Sequence, residues 1–193
     1  MPNIKDQKLL YHLTSSENLP SIFSKGLMSR SSLNDFVDVA DHEILQKREN
    51  SSLHEFVPFH FFTKNPFDYA VQRSHEKDDF VLITVHRTWA AKNNWKVICR
   101  HPLANEGVEI HDYNDGMAIM NWELMNQRDY NDPDCKSVCM AECLSPRRVE
   151  ASNFFKIFVM SVDVQKSVLN MAIAAKLNLD VAINENLFVG NYE

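Results

Sequence analysis

Glycine is nearly absent from this chain, at 4 of 193 residues. A phosphate cradle of glycine backbone is therefore disfavoured, and neither a P-loop nor a GxGxxG fingerprint is present, so a bound diphosphate would rely on helix ends and side chains. GxSxG and HExxH signatures, internal repeats and low-complexity tracts are missing too. No run of 18 apolar residues occurs, and the start lacks the charged-then-apolar pattern of a signal peptide. The expectation is a soluble, cytoplasmic protein that does not enter a membrane. Positive charge is in deficit, with 20 basic against 26 acidic residues and a net charge of -6. That balance disfavours wrapping a long duplex and leaves room for a short single strand in a local basic groove.

Cysteine is sparse. Cys135, Cys139 and Cys143 recur every four residues, with Cys99 elsewhere. Three thiolates and His101 make a conceivable zinc set, but CxxxC spacing is unlike the short CxxC knuckle of structural zinc sites. Reduced cysteines packed as small hydrophobes fit better, and no metal is expected.

What is present is a chain of 45% hydrophobic composition, enough to bury a sizeable core in a single domain spanning residues 1–193. The pattern is mixed α and β. Ser15 or Ser16 caps a short helix through Phe23, ended by Gly26 in a left-handed conformation. A polar helical stretch covers Asp38 to Glu49. Val57 to Phe62 reads as a strand with Pro58 at an edge or bulge, and Pro66 starts a helix carrying Tyr69. Phe80 to His86 is the cleanest strand, and Trp95 to Cys99 is a second. The stretch from there to Asp115 reads as a loop, and Ala118 to Met125 as a helix. A strand over Phe154 to Val162, a helix over Val164 to Lys176 and a strand within Leu179 to Phe188 complete the pattern.

Two segments set polar rings among apolar neighbours, Leu10-Tyr11-His12-Leu13-Thr14 and Glu55-Phe56-Val57-Pro58-Phe59-His60-Phe61-Phe62. Such placement suits a small enzyme with a cleft, and the helix start at Ser15 to Asn18 offers backbone donors to an anion. His12 either donates to a ribose hydroxyl or completes local hydrogen bonds. Glu142 lies in a small apolar run that suits a buried, oriented carboxylate as well as a surface helix position. Arg48 either clamps a phosphate or pairs with Asp41 or Glu43 on its own helix. Tyr69 offers a flat ring to a ligand or caps the phenylalanine core.

The order of motifs resembles the DarT family of DNA ADP-ribosyltransferase toxins. The matching pieces are Tyr11-His12-Leu13-Thr14, Glu17-Asn18-Leu19-Pro20-Ser21-Ile22, Gly26-Leu27, Lys47-Arg48, Phe56-Val57-Pro58-Phe59-His60-Phe61, Pro66 through Tyr69, Asn121-Trp122-Glu123 and Ala141-Glu142. They cover most of the chain in order. One departure is that Glu142 is followed by Cys143-Leu144-Ser145-Pro146, where many relatives continue Phe-Leu-Val.

The resemblance implies an α+β fold with an ADP-ribosyltransferase-like core, two small sheets around an NAD cleft, with peripheral helices. It implies a glycosyltransferase of a toxin-antitoxin system that moves ADP-ribose from NAD to a base of single-stranded DNA and releases nicotinamide. An antitoxin partner would neutralise the activity or remove the modification. In this reading Glu142 and Arg48 are catalytic, and His12, Thr14, Asn18 and Tyr69 hold NAD. His60, His101, Trp122, Arg147 and Arg148 serve the DNA, with Trp122 mainly supporting the cleft. Thymine and guanine both remain open as the target. RNA or protein acceptors, or a non-catalytic nucleotide- or DNA-binding module, are the rival readings.

Overall fold

The computed structural model describes residues 3–33, 53–102 and 109–190. Strand β1 (Leu9–Ser15) leads through a 3-10 turn into helix α1 (Leu19–Lys25). Then come β2 (Val57–His60), α2 (Pro66–Ser74), β3 (Phe80–His86), α3 (Arg87–Lys92) and β4 (Lys96–Ile98). The later elements are β5 (His111–Asp112), α4 (Tyr113–Ile119), α5 (Trp122–Gln127), α6 (Pro133–Cys139), β6 (Glu142–Ser145), β7 (Lys156–Val159), α7 (Val162–Ala174) and β8 (Val181–Ile183).

Among the described residues the strands join in the order β5-β4-β6-β2-β1-β3-β7-β8. All pairings are antiparallel except β7 with β8, which α7 connects. The ladder is uneven. Seven consecutive pairs tie β1 to β3 and four tie β2 to β6, but β1 meets β2 only at Tyr11↔His60. Two four-stranded halves therefore meet at a seam one residue pair wide.

Alternation of side chains across the strands sorts the core. Leu10, Ile83, Val85, Phe59, Cys143, Val97 and Ile157 belong to the main cluster, packed with Leu19, Ile22 and Phe23 of α1 and Val164, Val168 and Ala172 of α7. On the other side of the sheet lie two smaller clusters. One gathers Leu13, Phe80, Leu82, Val71 and Phe188; the other gathers Leu53, Ile98 and Leu144.

The β3 strand spans the apolar run read from sequence, buried through Val85 because both faces are covered. Elsewhere the chain departs from expectation. The single helix over Ala118 to Met125 is two, because Asn121 accepts from Leu124 N at 3.0 Å and starts a new helix. The loop expected up to Asp115 contains β5 and the first turn of α4. Gly116 there lies so close to β4 that a Cβ would come within 2.5 Å of Val97 Cβ. The late strand is confined to Lys156–Val159, since Ser161 caps α7, and the last strand stops at Ile183 before a 3-10 turn over Glu185–Leu187.

Gly26 has the positive φ expected of it, 83°, but its ψ of 165° lies outside the left-handed helical region, in backbone space reserved almost wholly for glycine. The conformation turns Leu27 into a bridge with Val149. The polar stretch Asp38 to Glu49 lies outside the described residues.

Candidate active site at the strand seam

The seam is closed by side chains where ladder hydrogen bonds stop. His12, on β1, donates from Nδ1 to the carbonyl oxygen of Pro58 on β2 at 2.8 Å. A carbonyl oxygen only accepts, so the proton on this bond belongs to Nδ1. The imidazole also packs on Phe59, with ring centroids 5.4 Å apart.

At the other end of the seam Arg87, the first residue of α3, is buried. Its guanidinium donates to Leu9 O (3.2 Å), Ile4 O (2.9 Å), Lys5 O (3.1 Å) and Phe61 O (2.8 Å). It also lies over Phe61 and Trp122, 5.3 and 5.7 Å from the ring centroids. Burial lowers its affinity for a proton, yet a guanidinium remains charged at any ordinary pH. Carbonyls on both sides of the seam thus converge on one cation.

Glu142 opens β6 and is buried, 5% exposed. It lies between Ile98 of β4 and His60 of β2, and His60 in turn faces Tyr11. Directly paired residues share a face, so Glu142, His60 and Tyr11 form a row of polar side chains across the seam. That row runs between the two small apolar clusters. His60 is 6% exposed, and Phe67 of α2 stacks on it with centroids 5.3 Å apart and an interplanar angle of 30°. Burial raises the pKa of the Tyr11 phenol, with the Arg87 guanidinium opposing the shift.

Two further groups lie at the end of β1. Thr14 is buried, and its hydroxyl accepts from Asn18 Nδ2 at 3.1 Å. Ser15 accepts from Glu17 N at 3.3 Å and starts the turn between them. Here the cap initiates a 3-10 turn ahead of α1, one turn earlier than a direct helix start.

Tyr69 is half-buried on α2. Successive positions on a helix differ by about 100°, so Tyr69 is turned well away from Phe67. Its ring meets the edge of Tyr130 at 6.1 Å, with the Arg73 guanidinium 5.6 Å from its centroid. The helix start below it is tightly held. Asn65 accepts from Asp68 N at 3.0 Å, Asp68 Oδ2 accepts from Lys64 N at 2.8 Å, and Tyr130 donates to Lys64 O at 2.6 Å. Burial pushes the Asp68 carboxyl up to about 7, against those hydrogen bonds.

The residues expected to serve the DNA are scattered. Trp122 is 8% exposed, packs edge-on against Phe61 and donates its indole N–H to Met117 O at 3.0 Å. It is a wall of the core rather than a surface for a base. His60 is likewise enclosed. His101 is half-buried, and its backbone N–H donates to Ser137 Oγ at 3.4 Å. Arg147 and Arg148 follow β6 on the surface, with Arg148 paired to Glu150 at 2.6 Å. Arg48 lies outside the described residues.

The cysteines divide as packing groups. Cys135 and Cys139, one turn apart on α6, point their thiols at Leu124 O and Met125 O, while Cys143 sits in the middle of the sheet. Burial pushes Cys139 up to about 12 and raises Cys143 further, so both stay as thiols. Among the described residues no three histidine, cysteine or acidic groups converge as a metal site.

Sequence reasoning gave no site role to Phe67, Tyr11 or Arg87. An aromatic two residues before the expected tyrosine is a weak signal for the first. An arginine directly after a mostly apolar strand is the only trace of the last.

Two sheet halves hinged at one pair, with peripheral helices and a buried glutamate beside the seam, make up an ADP-ribosyltransferase-like fold. The chain belongs to the DarT family: the family model described as ssDNA thymidine ADP-ribosyltransferase, DarT, matches residues 11–189. A curated relative from Thermosipho africanus, a DNA ADP-ribosyl transferase-DNA ADP-ribosyl glycohydrolase fusion protein, is 27% identical over 172 residues. The match covers 82% of this chain and 44% of the relative, so the chain spans less than half of that protein's length.

Solved structures share the fold. The DarT of Thermus sp. 2.9 in complex with ADP-ribosylated ssDNA superposes with a TM-score of 0.81 at 20% identity, covering 94% of this chain and 96% of the other. The same protein in complex with NAD+ gives 0.77 at 18% identity, covering 95% and 98%. Thermosipho africanus DarTG in complex with ADP-ribose gives 0.75 at 24% identity, covering 94% of this chain and 51% of that one.

Proposed function

We propose that this chain transfers ADP-ribose from NAD to a thymine base of single-stranded DNA and releases nicotinamide. The observation that carries this reading is the buried Glu142 carboxylate, one strand from a seam that His12 bridges. The family description names thymidine as the acceptor, and the Thermus relative was solved with ADP-ribosylated ssDNA.

The polar groups suit NAD. Glu142 holds the 2'-hydroxyl of the nicotinamide ribose, and this contact strengthens as the glycosidic bond breaks and positive charge develops on the ring. Because His12 uses Nδ1 on Pro58 O, its Nε2 accepts from a ribose hydroxyl. Thr14 and Asn18 extend the polar edge along β1, and Tyr69 lends its ring to nicotinamide. Arg48 steadies the diphosphate or the acceptor base, and His101, Arg147 and Arg148 border the DNA.

The base joins C1'' of the ribose through N3, the one ring nitrogen of thymidine that carries a hydrogen. The C1''–nicotinamide bond breaks, nicotinamide leaves as a neutral molecule, and the N3 proton passes to a base, a role we assign to Glu142. Attack opposite the leaving group inverts the configuration at C1''.

We read the activity as the toxin half of a toxin-antitoxin pair working in the cytoplasm, where NAD and single-stranded DNA coexist. The Thermosipho relative joins its transferase to a DNA ADP-ribosyl glycohydrolase. That is the activity an antitoxin needs to undo the modification. Nicotinamide release measured with single-stranded DNA, RNA or protein as acceptor tests the reading: stimulation by DNA alone supports it, and stimulation by RNA or protein alone moves the substrate.

A further inference from the structure

We infer that Tyr130 is a positioning residue for Tyr69: it clasps the turn that starts α2 and braces the Tyr69 ring from the side. The inference rests on the reading of Tyr69 as the ring that meets nicotinamide. Tyr130 is half-buried between α5 and α6, in the stretch of chain that leads on to Glu142. Two contacts join it to α2. Its hydroxyl donates to Lys64 O at 2.6 Å, and its ring meets Tyr69 at 69° with centroids 6.1 Å apart. Burial pushes the Tyr130 phenol well above its ordinary range, so the O–H stays a donor. Arg73, also against the Tyr69 ring, is on the same helix and moves with it. Tyr130 comes from a different part of the chain and fixes the ring against it.

The turn needs holding. Lys64 has φ 58°, in the left-handed region that a lysine keeps only where its surroundings enforce it. Its N–H is taken by Asp68 Oδ2 and its carbonyl oxygen by Tyr130, at 2.8 and 2.6 Å. Arg128, which ends α5 with φ 53°, lies 4.9 Å from the Phe62 ring centroid and grips the same segment two residues earlier. Tyr69 N donates to Asn65 O at 3.1 Å, so the direction in which its ring leaves the helix follows from this turn. A ring already in place for nicotinamide raises the share of molecules ready to bind NAD. Tyr130 does this without touching the reacting ribose, so its effect falls on affinity for a nicotinamide-bearing ligand rather than on the chemical step.

The test compares Tyr130→Phe and Tyr130→Ala by nicotinamide release in the presence of single-stranded DNA and by calorimetric titration with ADP-ribose, which lacks nicotinamide. Tyr130→Phe should raise KM for NAD ~3-fold or more and Tyr130→Ala further, with kcat within about twofold. Inhibition by free nicotinamide should weaken in the same proportion, while affinity for ADP-ribose changes by less than about twofold. In a Tyr69→Ala background Tyr130→Phe should cost almost nothing further, because its effect passes through that ring. Parallel losses for NAD and ADP-ribose, or a fall in kcat at unchanged KM, would overturn the inference. So would an unchanged KM for NAD in a folded Tyr130→Ala protein. Unaltered nicotinamide inhibition in Tyr69→Ala would remove Tyr69 from nicotinamide and the inference with it, a separate failure visible before Tyr130 is changed. If Tyr130→Ala does not fold, Tyr130→Phe, which loses only the hydroxyl, carries the same comparison, with its melting temperature as the check on folding.

Discussion

His12 Nδ1 and the carbonyl oxygen of Pro58 lie 2.8 Å apart across the one-pair seam between the sheet halves. The bond does two things. It replaces a ladder hydrogen bond where β1 and β2 part, and it places a ring proton on Nδ1. His12→Ala should therefore weaken NAD binding by ~10-fold or more while costing only about 1 kcal/mol of stability, the usual net value of one hydrogen bond. Calorimetric titration with NAD beside a thermal melt separates the two. Intact affinity in a folded variant would remove His12 from the ribose.

Arg87 closes the other end. Deleting the guanidinium takes the donor away from four carbonyl oxygens at once. Arg87→Met should cost about 3 kcal/mol or more, a fall of roughly 6–12 °C in Tm for a chain of this size. Circular dichroism melts read it directly. A change under 2 °C would mean that the seam does not depend on this cation.

Asp68 gives a pH signature. Folded, its carboxyl keeps the proton up to about pH 7; unfolded, it releases the proton near pH 4. Between those values the folded state binds more protons, so this group's contribution to stability is full below about pH 4, falls as pH rises to about 7 and is level above. Asp68→Asn, which still accepts from Lys64 N, should flatten that slope and leave the variant more stable than the parent at pH 8. Urea unfolding at pH 5, 6.5 and 8 checks the sign. A parent that gains stability from this group as pH rises would contradict it.

Gly26 holds φ 83° and ψ 165°, and a Cβ there would meet Val149 O at 3.1 Å. Gly26→Ala should destabilise by about 1–3 kcal/mol, since the backbone region strains any side chain and the contact with Val149 O is tight. A melt unchanged within a degree would show that the Leu27–Val149 bridge can shift to admit it.

The sequence reveals the elements better than it reveals their partners. The β3 strand and the start of α2 are legible because a run that is apolar but for Thr84 up to Val85 and an Asn-Pro cap are local signals. Asn121 carries the same kind of signal, and its cap splits a helix read as one. The seam is not local: Tyr11 and His60 are 49 positions apart, and nothing in either segment announces that only one pair forms. Glu142 was found by resemblance and by its small apolar flanks. The structure adds that it opens a strand, whereas its spacing from Cys139 suits a helix equally well. His60 looks like a base-stacking ring in the sequence, and burial alone separates it from the surface, whereas the buried Trp122 keeps the supporting place the sequence suggests.

The central claim is that Glu142 drives transfer of ADP-ribose to thymine in single-stranded DNA. The most direct measurement is mass spectrometry of two single-stranded oligonucleotides, one containing thymidine and one lacking it, each incubated with NAD and the protein. The account predicts a mass gain of one ADP-ribose on the thymidine-containing strand, traced to the thymidine nucleoside after digestion and reduced ~10²-fold or more by Glu142→Gln. An adduct of equal yield on the strand without thymidine, or an undiminished yield from a folded Glu142→Gln protein, would contradict it.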